Sequence, residues 1–267
     1  MKNRSIIVGA VLGLILALLP NMATATIVTP VTKHFITNLH GSTAPAALGY
    51  NVFDTSESGL ASLPAGVQGL VWLGQKCPTP ADDTFKAAIQ RMKSNPKVFG
   101  FYLSDEPHIS SCPGGPAALA SRASYVRTAT NNTKWTFIVL SKQADVYPFR
   151  PAVTHVHLFG FDPYPCSIAN PQCDLSKIKE RVGWADAGGV SRWQIVPVFQ
   201  TFGQENTTSH YYNLPTASQL QAMLNEWAKY APTPVIDYSY SWGHQTSSNP
   251  TLVDSGSLQS VMKAHNT

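Results

Sequence analysis

Phe99-Gly100-Phe101-Tyr102-Leu103-Ser104-Asp105-Glu106-Pro107-His108 is an apolar run that stops on two adjacent carboxylates and a proline. Such a run reads as a buried parallel strand, and Pro107, without a backbone N–H, keeps a strand or helix from continuing through it. Asp105 and Glu106 then stand at the carboxyl end of a strand, where parallel α/β folds, and barrels above all, keep their chemistry. The competing reading is a helix N-terminus, where Asp and Glu are ordinary capping residues.

The same pattern recurs along the chain. Buried strands are expected at Lys33 to Asn38, Gly49 to Asp54, Val67 to Leu73, Lys97 to Leu103, Lys134 to Leu140, Val153 to Phe161, Arg192 to Phe199 and Pro234 to Tyr240. Helix-like segments lie between most of them, the clearer ones at Asp82 to Lys93, Pro116 to Thr130, Asp174 to Ala187 and Thr216 to Lys229. Several open on good start signals, such as Pro80-Ala81-Asp82-Asp83 and Leu214-Pro215-Thr216. Eight strands alternating with helices fit a single (β/α)8 TIM barrel, an α/β fold, over residues 26 to 267. A doubly wound open sheet would usually carry a glycine-rich phosphate turn after its first strand, and Asn38-Leu39-His40-Gly41 is not one.

Lys2 and Arg4 precede the apolar run Ile6 to Leu19, and Ala23-Thr24-Ala25 follows it. This is the pattern of a secretory signal peptide over residues 1 to 25, cut after Ala25. The run is short for a spanning helix, and no basic stop-transfer segment follows it. The mature chain is expected to be exported, free of the membrane and monomeric. Its four cysteines suit an oxidising compartment. Cys77 with Cys112 and Cys166 with Cys173 is the preferred pairing of the three possible, because each pair would staple loops leaving the same face of the barrel. A zinc site is the rival, but no Cys-x-x-Cys spacing is present. Asn131-Asn132-Thr133 and Asn206-Thr207-Thr208 are glycosylation sequons.

A net charge of +4 without a Lys/Arg cluster argues against nucleic acid as a partner. Only 13% of residues are charged while Trp, Tyr and Phe are plentiful, which suits a carbohydrate partner, since apolar sugar faces stack on aromatic rings. The strand ends present Asn38 and His40, Asp54, Trp72 and Gln75, Asp105 and Glu106, Ser141 and Lys142, Asp162 and Tyr164, Gln200, then Trp242 and His244. No Gly-x-Ser-x-Gly elbow and no His-Glu-x-x-His helix is present, and the eight histidines are dispersed, so no metal or other cofactor is expected.

Tyr102-Leu103-Ser104-Asp105-Glu106-Pro107 resembles the Asn-Glu-Pro or Asp-Glu-Pro end of the fourth strand in TIM-barrel glycoside hydrolases, and the resemblance implies that Glu106 is the general acid/base. Gly160-Phe161-Asp162-Pro163-Tyr164-Pro165 and Tyr240-Ser241-Trp242-Gly243 resemble places where such enzymes put a sugar-contacting tyrosine and a tryptophan flooring the subsite. The barrel pattern covers almost the whole mature chain, whereas the specific match is confined to these strand ends. One departure matters: retaining enzymes of the large clan with the Asn-Glu pair carry a glutamate nucleophile at the end of the seventh strand, and Val196-Pro197-Val198-Phe199-Gln200 ends on an amide.

Three mechanisms stay open. Asp162 or Asp237 is the second carboxylate, retaining at a separation of roughly 5 Å and inverting at roughly 6.5 to 9.5 Å; Glu205, a little beyond Gln200, competes for that role. Alternatively the reaction is substrate-assisted, with Asp105 orienting an acetamido group while Glu106 protonates the leaving oxygen. The third possibility is a non-catalytic carbohydrate-binding barrel. The catalytic candidates are thus Glu106, Asp105 and Asp162. Asn38, Asp54, Trp72, Tyr102, Tyr164, Gln200, Asp237 and Trp242 are the substrate-binding candidates. Asp105 has the further alternatives of capping the next segment or meeting Arg150, and Asp162 faces inward only if the register holds.

Overall fold

Continuous apolar runs rich in aromatic and β-branched residues form eight parallel strands, each paired to the next and the last to the first, in a closed barrel. The strands are β1 (Lys33–Ile36), β2 (Val52–Thr55), β3 (Gln68–Trp72), β4 (Val98–Asp105), β5 (Trp135–Leu140), β6 (Leu158–Phe161), β7 (Ile195–Gln200) and β8 (Ile236–Tyr240). Outside them lie helices α1 (Asp83–Met92), α2 (Gly115–Ala129), α3 (Gln143–Val146), α4 (Pro151–Thr154), α5 (Ser176–Ala187), α6 (Ala217–Ala228) and α7 (Gly256–Asn266). The computed structural model describes residues 31–205, 210–245 and 249–267. The expected signal peptide and the Asn206 sequon lie outside these residues, whereas Asn131 is exposed just past the end of α2.

The helix start signals act as read. Asp82 caps α1 by accepting the Phe85 N–H at 2.8 Å, and Thr216 caps α6 in a reciprocal capping box with Gln219. Several strands begin later than the apolar pattern suggests, β6 by the most. Pro151 opens the short helix α4, which ends at His155 in the left-handed region, so β6 starts only at Leu158. Ser191 and Gln194 box a 3-10 turn, so β7 starts at Ile195.

Alternation along each strand separates two apolar layers. Phe35, Val52, Leu70, Phe137, Val139, Leu158, Val198 and Tyr238 fill the barrel interior, while Phe53, Phe101, Phe159, Leu220 and Trp227 belong to the layer between strands and helices. Gly160 is where β6 makes room for the interior: a Cβ there would stand 3.0 Å from the Phe137 ring and 2.9 Å from Val139.

β4 carries a bulge. Its pairing with β5 steps from Tyr102 opposite Phe137 directly to Ser104 opposite Ile138, leaving Leu103 unpaired in the outer layer. The extra residue shifts the alternation, so Tyr102 and Asp105, three apart, point to the same side. Disulfides join Cys77 to Cys112 and Cys166 to Cys173, the expected pairs. The first ties the loop after β3 to the loop after β4, and the second closes the loop after β6. No helix among the described residues is long and apolar enough to cross a membrane.

Candidate active site

Glu106 follows the last residue of β4 with φ +46°, a left-handed turn ahead of Pro107. Its carboxyl group comes within hydrogen-bond reach of Asp162, the residue just past β6. Burial, then the hydrogen bond and the charge of Glu106, push the Asp162 carboxyl well above the usual carboxylate range. Asp162 Oδ1 is buried and receives no hydrogen bond from any N–H or O–H of the described residues. Burial and the neighbouring Glu106 charge thus favour the protonated form of Asp162.

Asp105 flanks the pair. The Tyr102 hydroxyl donates to its Oδ1 at 2.7 Å. Burial raises the Asp105 carboxyl, the Tyr102 bond opposes the rise, and the neighbouring Glu106 charge adds to it. Arg150 is not its partner, being stacked on Tyr147 with its Nη1 donating to the Tyr147 carbonyl. In the loop that follows, the Ile109 N–H is taken by Asp145, which also pairs with His108.

Aromatic rings surround the three carboxyl groups. Tyr102 packs edge-on against Trp72 at 4.8 Å, and Trp72 is 45% exposed, so its ring remains open to a ligand. Tyr164 lies 5.5 Å from Tyr212 and 5.9 Å from Tyr240. Burial, followed by the charge of neighbouring Asp162, raises the Tyr164 hydroxyl pKa far above the usual tyrosine range, so it stays a neutral donor. Asp54 accepts the Asn38 N–H at 3.3 Å, and burial pushes its carboxyl up to about 6.

The mouth thus gathers Asn38, Asp54, Trp72, Tyr102, Asp105, Glu106, Asp162 and Tyr164. Three other candidates stand elsewhere. Gln200 is fully buried and spends its amide on the chain itself: Oε1 accepts the Cys166 N–H at 2.9 Å, and Nε2 donates to the carbonyls of Cys166 and Asn213 at 2.9 and 3.0 Å. It organises two loops and has no amide group left for a ligand. Asp237 lies on the opposite face of β8 from Tyr238 and Tyr240, because successive strand residues alternate, and it bonds His34 and His265 outside the barrel. Trp242 is 5% exposed and belongs to the outer apolar layer. Glu205 is held in its loop by the Leu214 N–H.

Tyr212, Tyr238, Tyr240 and Arg181 escaped the reading of the sequence. Tyr238 and Tyr240 had a usable signal, since they alternate on β8. Tyr212 and Arg181 had none, because one comes from a loop and the other from the middle of α5. Arg181 is near enough for the Asp162 charge to act on its guanidinium.

No protein-family model matches the chain, and no curated protein matches it in sequence. Solved structures share its fold. A chitinase from Rhizomucor miehei superposes with a TM-score of 0.60 at 8% identity, over 89% of this chain and 100% of its own. A GH18 chitinase from Flavobacterium johnsoniae gives 0.51 at 10% identity, over 90% and 94%. A GH128 endo-β-1,3-glucanase from Amycolatopsis mediterranei in complex with laminaripentaose gives 0.51 at 13%, over 87% and 99%. At these identities the likeness is one of fold alone, a TIM barrel.

Proposed function

We propose that the protein is an exported glycoside hydrolase that cleaves O-glycosidic bonds of an oligo- or polysaccharide, with Glu106 as general acid/base. The observation that carries this reading is the pairing of Glu106 with the buried Asp162, whose carboxyl is pushed up. Asp162 keeps its proton past the pH at which an isolated carboxyl loses it, and a proton retained beside Glu106 is what a leaving oxygen needs. Glu106 is the member of the pair that is less buried, so it hands the proton over.

The surroundings favour a substrate that supplies its own nucleophile. A carboxyl pair in hydrogen-bond contact is closer than the roughly 5 to 5.5 Å of direct retention and the roughly 6.5 to 9.5 Å of inversion. Gln200 occupies the strand end where a nucleophilic glutamate would stand, and Glu205 is held in its loop. An N-acetylhexosaminide fits this site. Its acetamido carbonyl oxygen attacks the anomeric carbon as the bond to the leaving oxygen breaks, and that oxygen takes the proton from Glu106. A water then opens the cyclic intermediate and returns a proton to Glu106. Asp105 or Asp162 would hold the acetamido N–H. Chitinases are among the proteins that share the fold, an analogy that lends support without deciding the substrate.

The test is turnover of chitooligosaccharides, β-1,3-glucans and aryl glycosides with and without an acetamido group. Glu106→Gln should lower the rate on natural-type glycans by roughly 10²- to 10⁴-fold while sugar binding survives. Cleavage of glucans alone would replace the substrate-assisted route with a direct one. Binding without cleavage of any glycan, lost in Trp72→Ala, would make the barrel a carbohydrate-binding protein.

A further inference from the structure

His34, Asp237 and His265 form a second cluster of titratable side chains, on the outer face of the barrel. They come from the first strand, the last strand and the last helix, the three elements that meet where the barrel closes. His34 and Asp237 are direct partners in the β1–β8 ladder, so their side chains leave the sheet side by side. α7 brings His265 onto the same spot, with its ring edge-on to His34 at 5.4 Å and to Phe199 at 5.4 Å.

The polar atoms converge. His34 Nδ1 and His265 Nε2 each lie 2.9 Å from Asp237 Oδ2, and the one potential ligand atom of each residue lies within 4.8 Å of the others. Asp237 is almost completely buried. A single imidazole would be enough to pair its carboxylate, yet two are aimed at the same oxygen. Beside the cluster is a cavity of about 330 Å³, lined by Pro197, Phe199, Leu224, Trp227 and Thr267 among others.

We propose that His34, Asp237 and His265 are the protein ligands of a zinc-class divalent cation that clasps the C-terminal helix to the closing seam of the barrel. Two imidazole nitrogens with one carboxylate oxygen suit zinc, whereas calcium and magnesium prefer oxygen donors throughout. Ligand bonds of roughly 2.0 to 2.2 Å in a tetrahedron set neighbouring donor atoms roughly 3.3 to 3.6 Å apart, so the 2.9 Å separations open by roughly half an ångström. Each neutral imidazole gives the ion the lone pair of the nitrogen now facing Asp237 and carries its proton on the other ring nitrogen. The fourth position opens to the cavity, where a water completes the tetrahedron. Nothing in this site touches Glu106 or its neighbours, so the clasp is structural.

The test uses untagged, chelator-treated protein titrated with Zn²⁺ by calorimetry and with Co²⁺ by absorption. One ion per chain with micromolar or tighter affinity, a tetrahedral Co²⁺ spectrum and a melting temperature raised by roughly 5 °C at saturating zinc are expected. His265→Gln should weaken binding at least 100-fold. Absence of saturable binding by the unsubstituted protein, with melting indifferent to zinc and chelator, would leave a hydrogen-bonded clasp only and overturn the proposal. Equal binding by His265→Gln would put the ion elsewhere and overturn it as well.

Discussion

Glu106 and Asp162 meet across the barrel mouth from the ends of β4 and β6, and Asp162 has its carboxyl pushed up by burial and by that contact. Asp162 therefore releases its proton late, at a pH above the usual carboxylate range. Asp162→Asn removes the group whose carboxyl is pushed up, and its proton with it. The alkaline limb of the pH profile of kcat/KM should therefore move to lower pH, with turnover down roughly 10²-fold near neutrality. A limb that stays in place would mean that another group holds the proton.

Asp54 predicts a pH dependence of stability. Its carboxyl titrates at about 6 in the folded protein against 3.8 for an ordinary aspartate, with burial as the main cause. The folded chain therefore holds the proton more tightly than the unfolded chain. Its contribution to stability is fully present below pH 3.8 and is lost as the pH rises through about 6. Asp54→Asn removes this titration and keeps an acceptor for the Asn38 N–H. Denaturant unfolding between pH 4 and 7 should show the variant gaining on the unsubstituted protein as pH rises.

Gln200→Ala should act on stability, not on sugar recognition. It strips partners from the backbone of Cys166 and Asn213 in one step. Buried backbone groups left unpaired make a cost of roughly 2 to 4 kcal/mol reasonable. Chemical denaturation measures it, and sugar affinity at temperatures where the variant is folded should be little changed.

The two disulfides should differ in effect. Their cysteines are 35 and 7 residues apart. Chain entropy gives roughly 4 kcal/mol for the longer loop and roughly 2.5 kcal/mol for the shorter. Replacing Cys77 and Cys112 by Ser should therefore lower stability more than replacing Cys166 and Cys173, as read by denaturant midpoints.

The barrel was legible because a strand buried on both faces must be apolar throughout, and eight such runs alternate with capped helices. Glu106, Asp105 and Asp162 were legible as strand ends, which proline marks at Pro107 and Pro163. What single-residue register decides was not. Asp237 and Tyr238 are adjacent and face opposite layers, and nothing local in Val235-Ile236-Asp237-Tyr238 says which is inside. The bulge that turns Asp105 inward depends on pairing with β5, a contact between distant segments. The helix α7 was missed because its Ser255-Gly256-Ser257 start is poor in helix formers, and packing of Leu258 and Met262 on the barrel supplies what propensity does not.

Closure of β8 onto β1 has a consequence for the connectivity of the chain. Val31 and Thr267 border one and the same cavity, so the two extremities of the barrel are neighbours in space. A circularly permuted chain, with a short glycine-serine link from Thr267 to Val31 and new ends cut at the exposed turn of Gly189, would keep every strand pairing. The order in which the eight strands leave the ribosome would change while the barrel they form would not, and refolding of such a permutant separates what the fold needs from what its order of synthesis supplies.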